Sequence, residues 1–314
     1  MTTYILRRLM LVPVTLFILS FGTAMIMRLT PGDVVDYQLQ NSYTPERAEA
    51  LREHLGLNKG PFEAYFDWMS DAFRGDFGRS FVSYTPIEEE IRRRFPVTIQ
   101  LVVLTVLVQA VIAIPLGALA AVRQNGLGDH SIRIISVIVL AVPSFVIAVF
   151  VLKFPAIWWG WFPPLGYVAF QDDPLRNMQV YSIPVVVNAL ALMATLIRLT
   201  RTEMLEVLRQ DYVRTALAKG LRQPTVIQRH ALKNALIPVI TVLGLSFGGA
   251  LGGVVIVESI FSLPGLGLYA LDAVRQEDYL VVQTFVVFSG FMFVMVNLAV
   301  DIVYAWLNPR IQYA

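Results

Sequence analysis

Runs free of Asp, Glu, Lys and Arg recur along the chain at 9–27, 96–122, 134–152, 181–197, 234–257 and 279–300. Each approaches or exceeds the roughly 20 mostly apolar residues that an α-helix needs to cross a bilayer. The pattern predicts six spanning helices. A seventh apolar stretch, 154–170, holds three prolines together with Trp158, Trp159 and Trp161. Proline breaks helices and tryptophan collects at the membrane–water boundary, so this stretch predicts an interfacial segment and not a span. The first run follows Arg7 and Arg8, as a signal peptide would. It reaches spanning length, however, and ends in Met25-Ile26-Met27-Arg28, which predicts a retained first helix.

The polar segments between the runs set an orientation. With the N-terminus inside, the segments 123–133 and 198–233 and the C-terminus hold Arg123, Arg133, Arg198, Arg201, Arg209, Arg214, Lys219, Arg222, Arg229, Lys233 and Arg310. The short loops opposite hold Arg176 and Arg275 against Asp172, Asp173, Glu258, Asp272, Glu277 and Asp278. Basic residues stay on the cytoplasmic side, so both termini are expected there. Arg92, Arg93 and Arg94 fall outside on this reading, with Glu88, Glu89 and Glu90 beside them to pair. They end a long segment, 30–95, whose mixture of charge, glycine and aromatics suits a small folded lid.

Composition agrees with a lipid-solvated chain. Of 314 residues, 56% are hydrophobic and 15% charged, against about 45–50% and about 25% in soluble domains. Mean hydropathy is +0.62. A net charge of +2 gives no case for a nucleic-acid partner. The chain has no cysteine, which excludes disulfides and thiolate metal sites. His54, His130 and His230 show no metal-ligand spacing.

None of the four lysines, Lys59, Lys153, Lys219 and Lys233, follows a glycine, so the chain lacks the phosphate-cradling loop of an ATPase. Any ATP hydrolysis belongs to another polypeptide. Gly244-Leu245-Ser246-Phe247-Gly248 matches the pattern of a serine nucleophile. It lies mid-span, with no histidine in any span to act as base. Gly244, Gly248, Gly249, Gly252 and Gly253 fit better as small residues that let helices approach. The predicted spans carry almost no ionisable group at mid-depth, and Gln109, Asn188 and Asn297 are neutral. This argues against a proton or sodium relay.

The segment between the fourth and fifth runs is amphipathic. Leu205, Leu208, Tyr212 and Ala216 recur at helical spacing, with Val213 and Leu217 beside them. Gly220 suits a helix end and Pro224 a new first turn. The segment reads as helix, sharp break, helix. A solvated loop, a membrane-surface hairpin and a docking knob all remain open on composition.

Asp211-Tyr212-Val213-Arg214-Thr215-Ala216-Leu217-Ala218-Lys219-Gly220, followed by His230-Ala231-Leu232-Lys233-Asn234-Ala235-Leu236-Ile237-Pro238, resembles the EAA loop of ABC importer permeases in its peptide-transporter dialect. Arg214-Thr215-Ala216 fall on the EAA positions, Gly220 on the glycine, and His230 and Leu232 on the later Ile and Leu. Arg214 replaces the usual glutamate and Lys233 the usual proline, as in the peptide branch. Further stretches resemble the B-type permease subunit of dipeptide and oligopeptide transporters. They are Pro31-Gly32-Asp33, Arg74-Gly75-Asp76-Phe77-Gly78-Arg79-Ser80, Phe95-Pro96-Val97-Thr98, the stretch 258–267, and Leu307-Asn308-Pro309-Arg310.

The resemblance implies an all-α membrane protein with six transmembrane helices in the type I ABC importer permease arrangement and a small extracytoplasmic insert after helix 1. The implied division is a first helix at 1–29, an extracytoplasmic subdomain at 30–95, a permease core at 96–306 containing the coupling loop 201–238, and a cytoplasmic tail at 307–314. Implied partners are a second homologous permease subunit, two ATP-binding subunits, an extracytoplasmic solute-binding protein and a peptide substrate, in a bacterial inner membrane. This chain would bind no cofactor, and ATP and Mg would sit in the partner subunits. Asp211, Arg214, Thr215, Ala216, Lys219, Gly220, His230 and Leu232 would couple to an ATPase. Glu258, Phe261, Pro264 and Gly265 would shape an outer gate. Relatives on the same scaffold carry nickel, glutathione or opines as well as peptides. A secondary transporter and an intramembrane hydrolase stand as readings from other classes.

Overall fold

The computed structural model describes residues 2–29, 34–39, 43–55, 57–164 and 166–307; side chains are described within these from residue 10, except at 28, 29, 301 and 303–307. Pro31-Gly32-Asp33 and Asn308-Pro309-Arg310 of the sequence motifs, and the tail beyond 307, lie outside the described residues.

The helices in chain order are α1 (Thr2–Leu29), α2 (Val34–Leu39), α3 (Pro45–His54), α4 (Pro61–Ala72), α5 (Ile87–Val122), α6 (Leu127–Ala141), α7 (Ser144–Trp159), α8 (Pro174–Leu208), α9 (Asp211–Ala218), α10 (Gln223–Thr225), a π-helical stretch (Val226–Leu232), α11 (Lys233–Phe261), α12 (Leu266–Arg275) and α13 (Tyr279–Leu307). Among the described residues the only β pairing is one isolated bridge, Arg79 to Pro86. Local chemistry marks several starts. Thr44 caps α3 by accepting from the Arg47 N–H at 3.3 Å, ahead of Pro45. Asp173 caps α8 by accepting from the Arg176 N–H at 2.9 Å, ahead of Pro174. A short polar cap followed by proline is a preorganised helix start.

Among the described residues, five helices are long and apolar enough to cross a membrane, or six if one bent pair counts as a single span. The bent pair is α6 with α7, which meet at 94°. The predicted third span, 134–152, straddles that bend and is not one straight helix. Val142 precedes Pro143 and is extended, at φ −96° and ψ 120°. Proline pushes the residue before it out of the helical region, and apolar content alone does not reveal this. The segment expected to be interfacial is helical only over its first part, 154–159. α7 runs on to Trp159 despite Pro155, then stops at Gly160, a left-handed cap at φ 60°.

The chain divides into two compact units. One comprises Ile99–Leu263 with the described residues from Val296 onward; the other comprises the described residues of Thr2–Thr98 and Pro264–Met295. In the first unit α8 is the central helix, with buried residues recurring from Asn177 to Met204. Met193, Leu196 and Ile197 pack there with Ala113 of α5 and Val239 of α11. Apolar side chains gain little by leaving lipid for a protein interior. Such a bundle is held by close packing and by hydrogen bonds between helices.

Among its described residues the second unit has three small cores. Val34, Val35 and Ala48 join α2 to α3. Ala24, Tyr65 and Trp68 join α1 to α4, with a 2.7 Å hydrogen bond between the Ser20 and Tyr65 hydroxyls. Ile87, Ala273, Val281 and Val282 join the first turn of α5 to α12 and α13. α5 begins at Ile87, well ahead of the apolar run at 96. Its first turns carry the Glu and Arg clusters: Glu90 accepts from Arg93 at 2.7 Å and Arg94 at 2.6 Å.

Candidate functional site

The amphipathic segment folds as a helical hairpin. α8 ends at Leu208, Gln210 turns extended at ψ 147°, and α9 starts afresh at Asp211. Val213 and Ala216 face inward and pack with Val226, Val207 and Leu208. Tyr212 and Leu217, expected on the inner face, are 43% and 46% exposed. The sequence reading carried one helical phase from 205 to 217, whereas the break at 209–210 resets it.

The corner is a left-handed helix stop. Gly220 has φ +81°. Its N–H donates to the Leu217 carbonyl at 2.9 Å, and the Leu221 N–H reaches the Ala216 carbonyl at 3.4 Å. This pair of bonds closes a helix through a residue that only glycine adopts at low cost. Asp211, Arg214, Thr215, Lys219 and Gly220 are all exposed around the corner, with Leu221, 41% exposed, at its tip. Asp211 pairs with Arg214 at 3.6 Å, an exposed contact.

The returning arm is π-helical over Val226–Leu232 and holds half-buried His230 and Leu232. Asn234 donates to the Tyr212 hydroxyl at 3.0 Å and ties the two arms together. Periodicity did not signal the π turn, a feature that often accompanies functional positions.

Sequence reasoning also missed the brace behind the hairpin. Arg201 of α8 makes a two-pronged ion pair with Asp129 in the first turn of α6, at 2.6 and 2.7 Å. Asp129 is wholly buried and also accepts from the Asn125 N–H at 3.0 Å. The partners lie 72 positions apart, and nothing in their local spacing links them.

Inside the first unit, polar side chains bridge α5, α8 and α11. Gln109 donates to the Leu192 carbonyl at 3.1 Å and to the Ser246 hydroxyl at 3.2 Å. Asn188 donates to the Thr105 hydroxyl at 3.3 Å. A Cβ at Gly253 would run into the Asn188 carboxamide, and one at Gly244 into the Val300 methyls. One at Gly249 would press on Leu192 at 3.1 Å, while Gly252 is exposed with open space around it and Gly248 is half-buried.

Ser246 donates to the Val242 carbonyl at 3.0 Å and sits in the middle of α11, not on a strand-to-helix turn. Its neighbours are hydrogen-bonding partners of a helix interface. Ser246→Ala is expected to leave transport near wild type and to cost about 1–3 kcal/mol of stability, the worth of the two hydrogen bonds its hydroxyl makes. A complete loss of activity in that variant, with the protein intact, would restore the hydrolase reading.

The candidate gate residues divide between two places. Glu258 and Phe261 occupy the last turn of α11 and are buried. Ser262 then turns left-handed at φ 54°, and the Leu263 N–H bonds to the Glu258 carbonyl at 2.9 Å. Pro264 and Gly265 lead into α12. Glu258 is therefore a buried helix-end carboxylate and not an exposed loop acid.

In the second unit Asp278 is the central node. It accepts from the Ser80 hydroxyl at 2.6 Å and caps α13 through the Val281 N–H at 3.5 Å. Burial pushes its carboxyl above the ordinary range, while the Ser80 and backbone donors pull it partly back. Beside it lies a cavity of about 420 Å³, lined in part by Glu90, Arg94, Tyr269 and Asp272. Arg94 lies over the Tyr269 ring, 4.8 Å from its centre. Asp278→Ala would strand the Ser80 hydroxyl and the capping Val281 N–H, at about 1–3 kcal/mol for each group left buried and unpaired. A lower melting temperature and faster proteolysis near residue 80 are expected; an unchanged digestion pattern would count against the node.

Comparison with known proteins agrees with this architecture. Residues 113–313 match the family described as binding-protein-dependent transport system inner membrane component. Residues 1–102 match the N-terminal region of such membrane components. The oligopeptide transport system permease protein AppB of Bacillus subtilis is 39% identical, with all of both chains covered. The glutathione transport system permease protein GsiC of Escherichia coli is 34% identical, again over all of both chains. A Brucella abortus relative is 37% identical over the full length of both. With both ends matched and the apolar helices in place, the chain belongs to the binding-protein-dependent transport system inner membrane components, the multi-pass permease subunits of ABC importers.

Proposed function

We propose that this chain is one of two transmembrane subunits of an ATP-driven peptide importer, with six spans, of which the bent α6–α7 pair forms one. It would pair with a homologous permease, receive substrate from a solute-binding protein outside, and rest on two ATPase subunits inside. Both termini and the hairpin would be cytoplasmic. The observation that carries this reading is the hairpin corner at Gly220, a knob whose outer surface mixes Tyr212, Leu217 and Leu221 with Arg214, Lys219 and Arg222. Apolar anchors ringed by guanidinium and ammonium groups suit a protein groove with carboxylates at its rim.

ATP, with its Mg, would bind and be hydrolysed in the partner subunits. Closing of the ATPase pair would press on α9. The buried Val213–Ala216–Val226 contact and the Arg201–Asp129 brace would pass that displacement into α8 and α6 as a rigid-body shift. Gly244, Gly249 and Gly253 would keep α11 close to its neighbours during it. Glu258, Phe261, Pro264 and Gly265 would lie behind the outer mouth.

The test is ATP-dependent uptake of a labelled di- or oligopeptide by the reconstituted transporter, with glutathione as competitor. Uptake of peptide that glutathione does not displace supports the peptide reading. Uptake of glutathione alone would favour the second reading, to which the similarity to GsiC points. Uptake of neither, with all subunits present, would remove both substrates.

A further inference from the structure

We infer that α4 lies in the membrane interface and presents Phe62, Phe66 and Phe73 to lipid, so the segment between α1 and α5 is in part a membrane-bound element and not a wholly aqueous lid. The helix has three faces. Tyr65, Trp68, Met69 and Ala72 pack against Phe21, Ala24 and Met25 of α1. Glu63, Asp67, Ser70 and Asp71 are exposed, with Lys59 pairing to Asp67 at 2.5 Å. Between these arcs stand Phe62, Phe66 and the C-cap residue Phe73, whose backbone is still helical, within about 40° of one another at 3.6 residues per turn. They are 60%, 56% and 86% exposed.

Depth decides what covers this stripe. The apolar window of α1 is Met10–Met27, and α4 is fixed to it at Ser20 by the Tyr65 hydroxyl. Ser20 lies seven residues inside the end of that window, about 10 Å at 1.5 Å per residue. Interfacial amphipathic helices bury their apolar face to about that depth, about 5–10 Å.

The aromatic surface is also continuous with the face of α1 that the fold leaves open. Phe17, 45% exposed, stacks on Phe21 at 5.7 Å, and Phe21 meets Phe62 at 6.0 Å. Ile18 beside them is 64% exposed. A helix held at this level cannot turn one face to a spanning helix and the adjacent face to bulk water. The carboxylates of the third face point the remaining way, toward headgroups and solvent, as an interfacial helix requires.

The cysteine-free chain allows a direct test. Phe62→Cys, Phe66→Cys, Phe73→Cys, Glu63→Cys and Ser70→Cys are each labelled with a nitroxide in the full chain, reconstituted in phospholipid vesicles. Collision rates are then measured with oxygen, which partitions into lipid, and with a nickel chelate, which stays in water. Sites 62, 66 and 73 are expected to show high oxygen and low nickel accessibility, and sites 63 and 70 the reverse. Nickel accessibility at the phenylalanine sites equal to that at 63 and 70 would overturn the proposal in favour of an aqueous helix. Low accessibility to both reagents would overturn it in favour of a protein cover. Because five separate sites are read, failure of one variant to fold leaves the comparison standing.

Discussion

Gly220→Pro is expected to reduce uptake to background while the chain still accumulates in the membrane at its normal level. Proline fixes φ near −65° and carries no N–H. Gly220 sits at φ +81° and donates to the Leu217 carbonyl. The corner cannot form, and α9 loses its attachment to the returning arm. The cost is local, because the corner is exposed and, among the described residues, no core cluster of the first unit includes it.

Gly220→Ala should give a graded defect, since the left-handed conformation costs an ordinary residue about 1–2 kcal/mol. Ala216→Asp should resemble the proline variant by another route. It places a carboxylate against Val213 and Val226, where burial penalises charge. Labelled-peptide uptake against membrane immunoblots separates loss of coupling from loss of protein. Normal uptake by Gly220→Pro would remove the hairpin from the mechanism.

Asp129→Ala has the largest expected effect on stability. Asp129 is wholly buried and the Arg201 side chain is only 17% exposed. Removing the carboxylate leaves a guanidinium in the bundle with no counter-charge, which typically costs about 3–5 kcal/mol. The Asn125 N–H loses its acceptor as well. Little folded protein should survive in detergent.

Removing both charges distinguishes this account from a general intolerance of change at the site. Asp129→Leu combined with Arg201→Met should recover much of the stability, because an apolar pair leaves no stranded ion. If the single variant melts like wild type, the brace carries no load. If the double variant is worse than the single, the charge argument fails.

How legible these features were follows from their range along the chain. The spans were legible because lipid demands long apolar runs, a constraint written in consecutive residues. The hairpin corner was legible because Gly220 and Pro224 mark a local backbone event. The α6–α7 bend was not, since Val142 and Pro143 sit within an apolar run and the composition reads smoothly across them. Periodicity places Tyr212 and Leu217 on the inner face because a helical period has no memory of an interruption such as Gln210, and both are exposed.

The Asp129–Arg201 and Ser80–Asp278 contacts were invisible for a simpler reason: pairings across 72 and 198 positions leave no local pattern. Glu258 looked like a loop acid because the helix end beyond the apolar run is polar in sequence. α11 in fact continues through it and buries it.

The central claim, that this permease works only within a complex and meets an ATPase through its hairpin, is tested most directly by gentle-detergent purification of the chain from its native membrane, with mass spectrometry of what accompanies it. The account predicts a second multi-span permease and one or two ATPases bearing phosphate-binding loops, with the ATPases lost in the Gly220→Pro preparation. A chain that purifies alone or only with copies of itself would contradict it and bring the secondary-transporter reading forward.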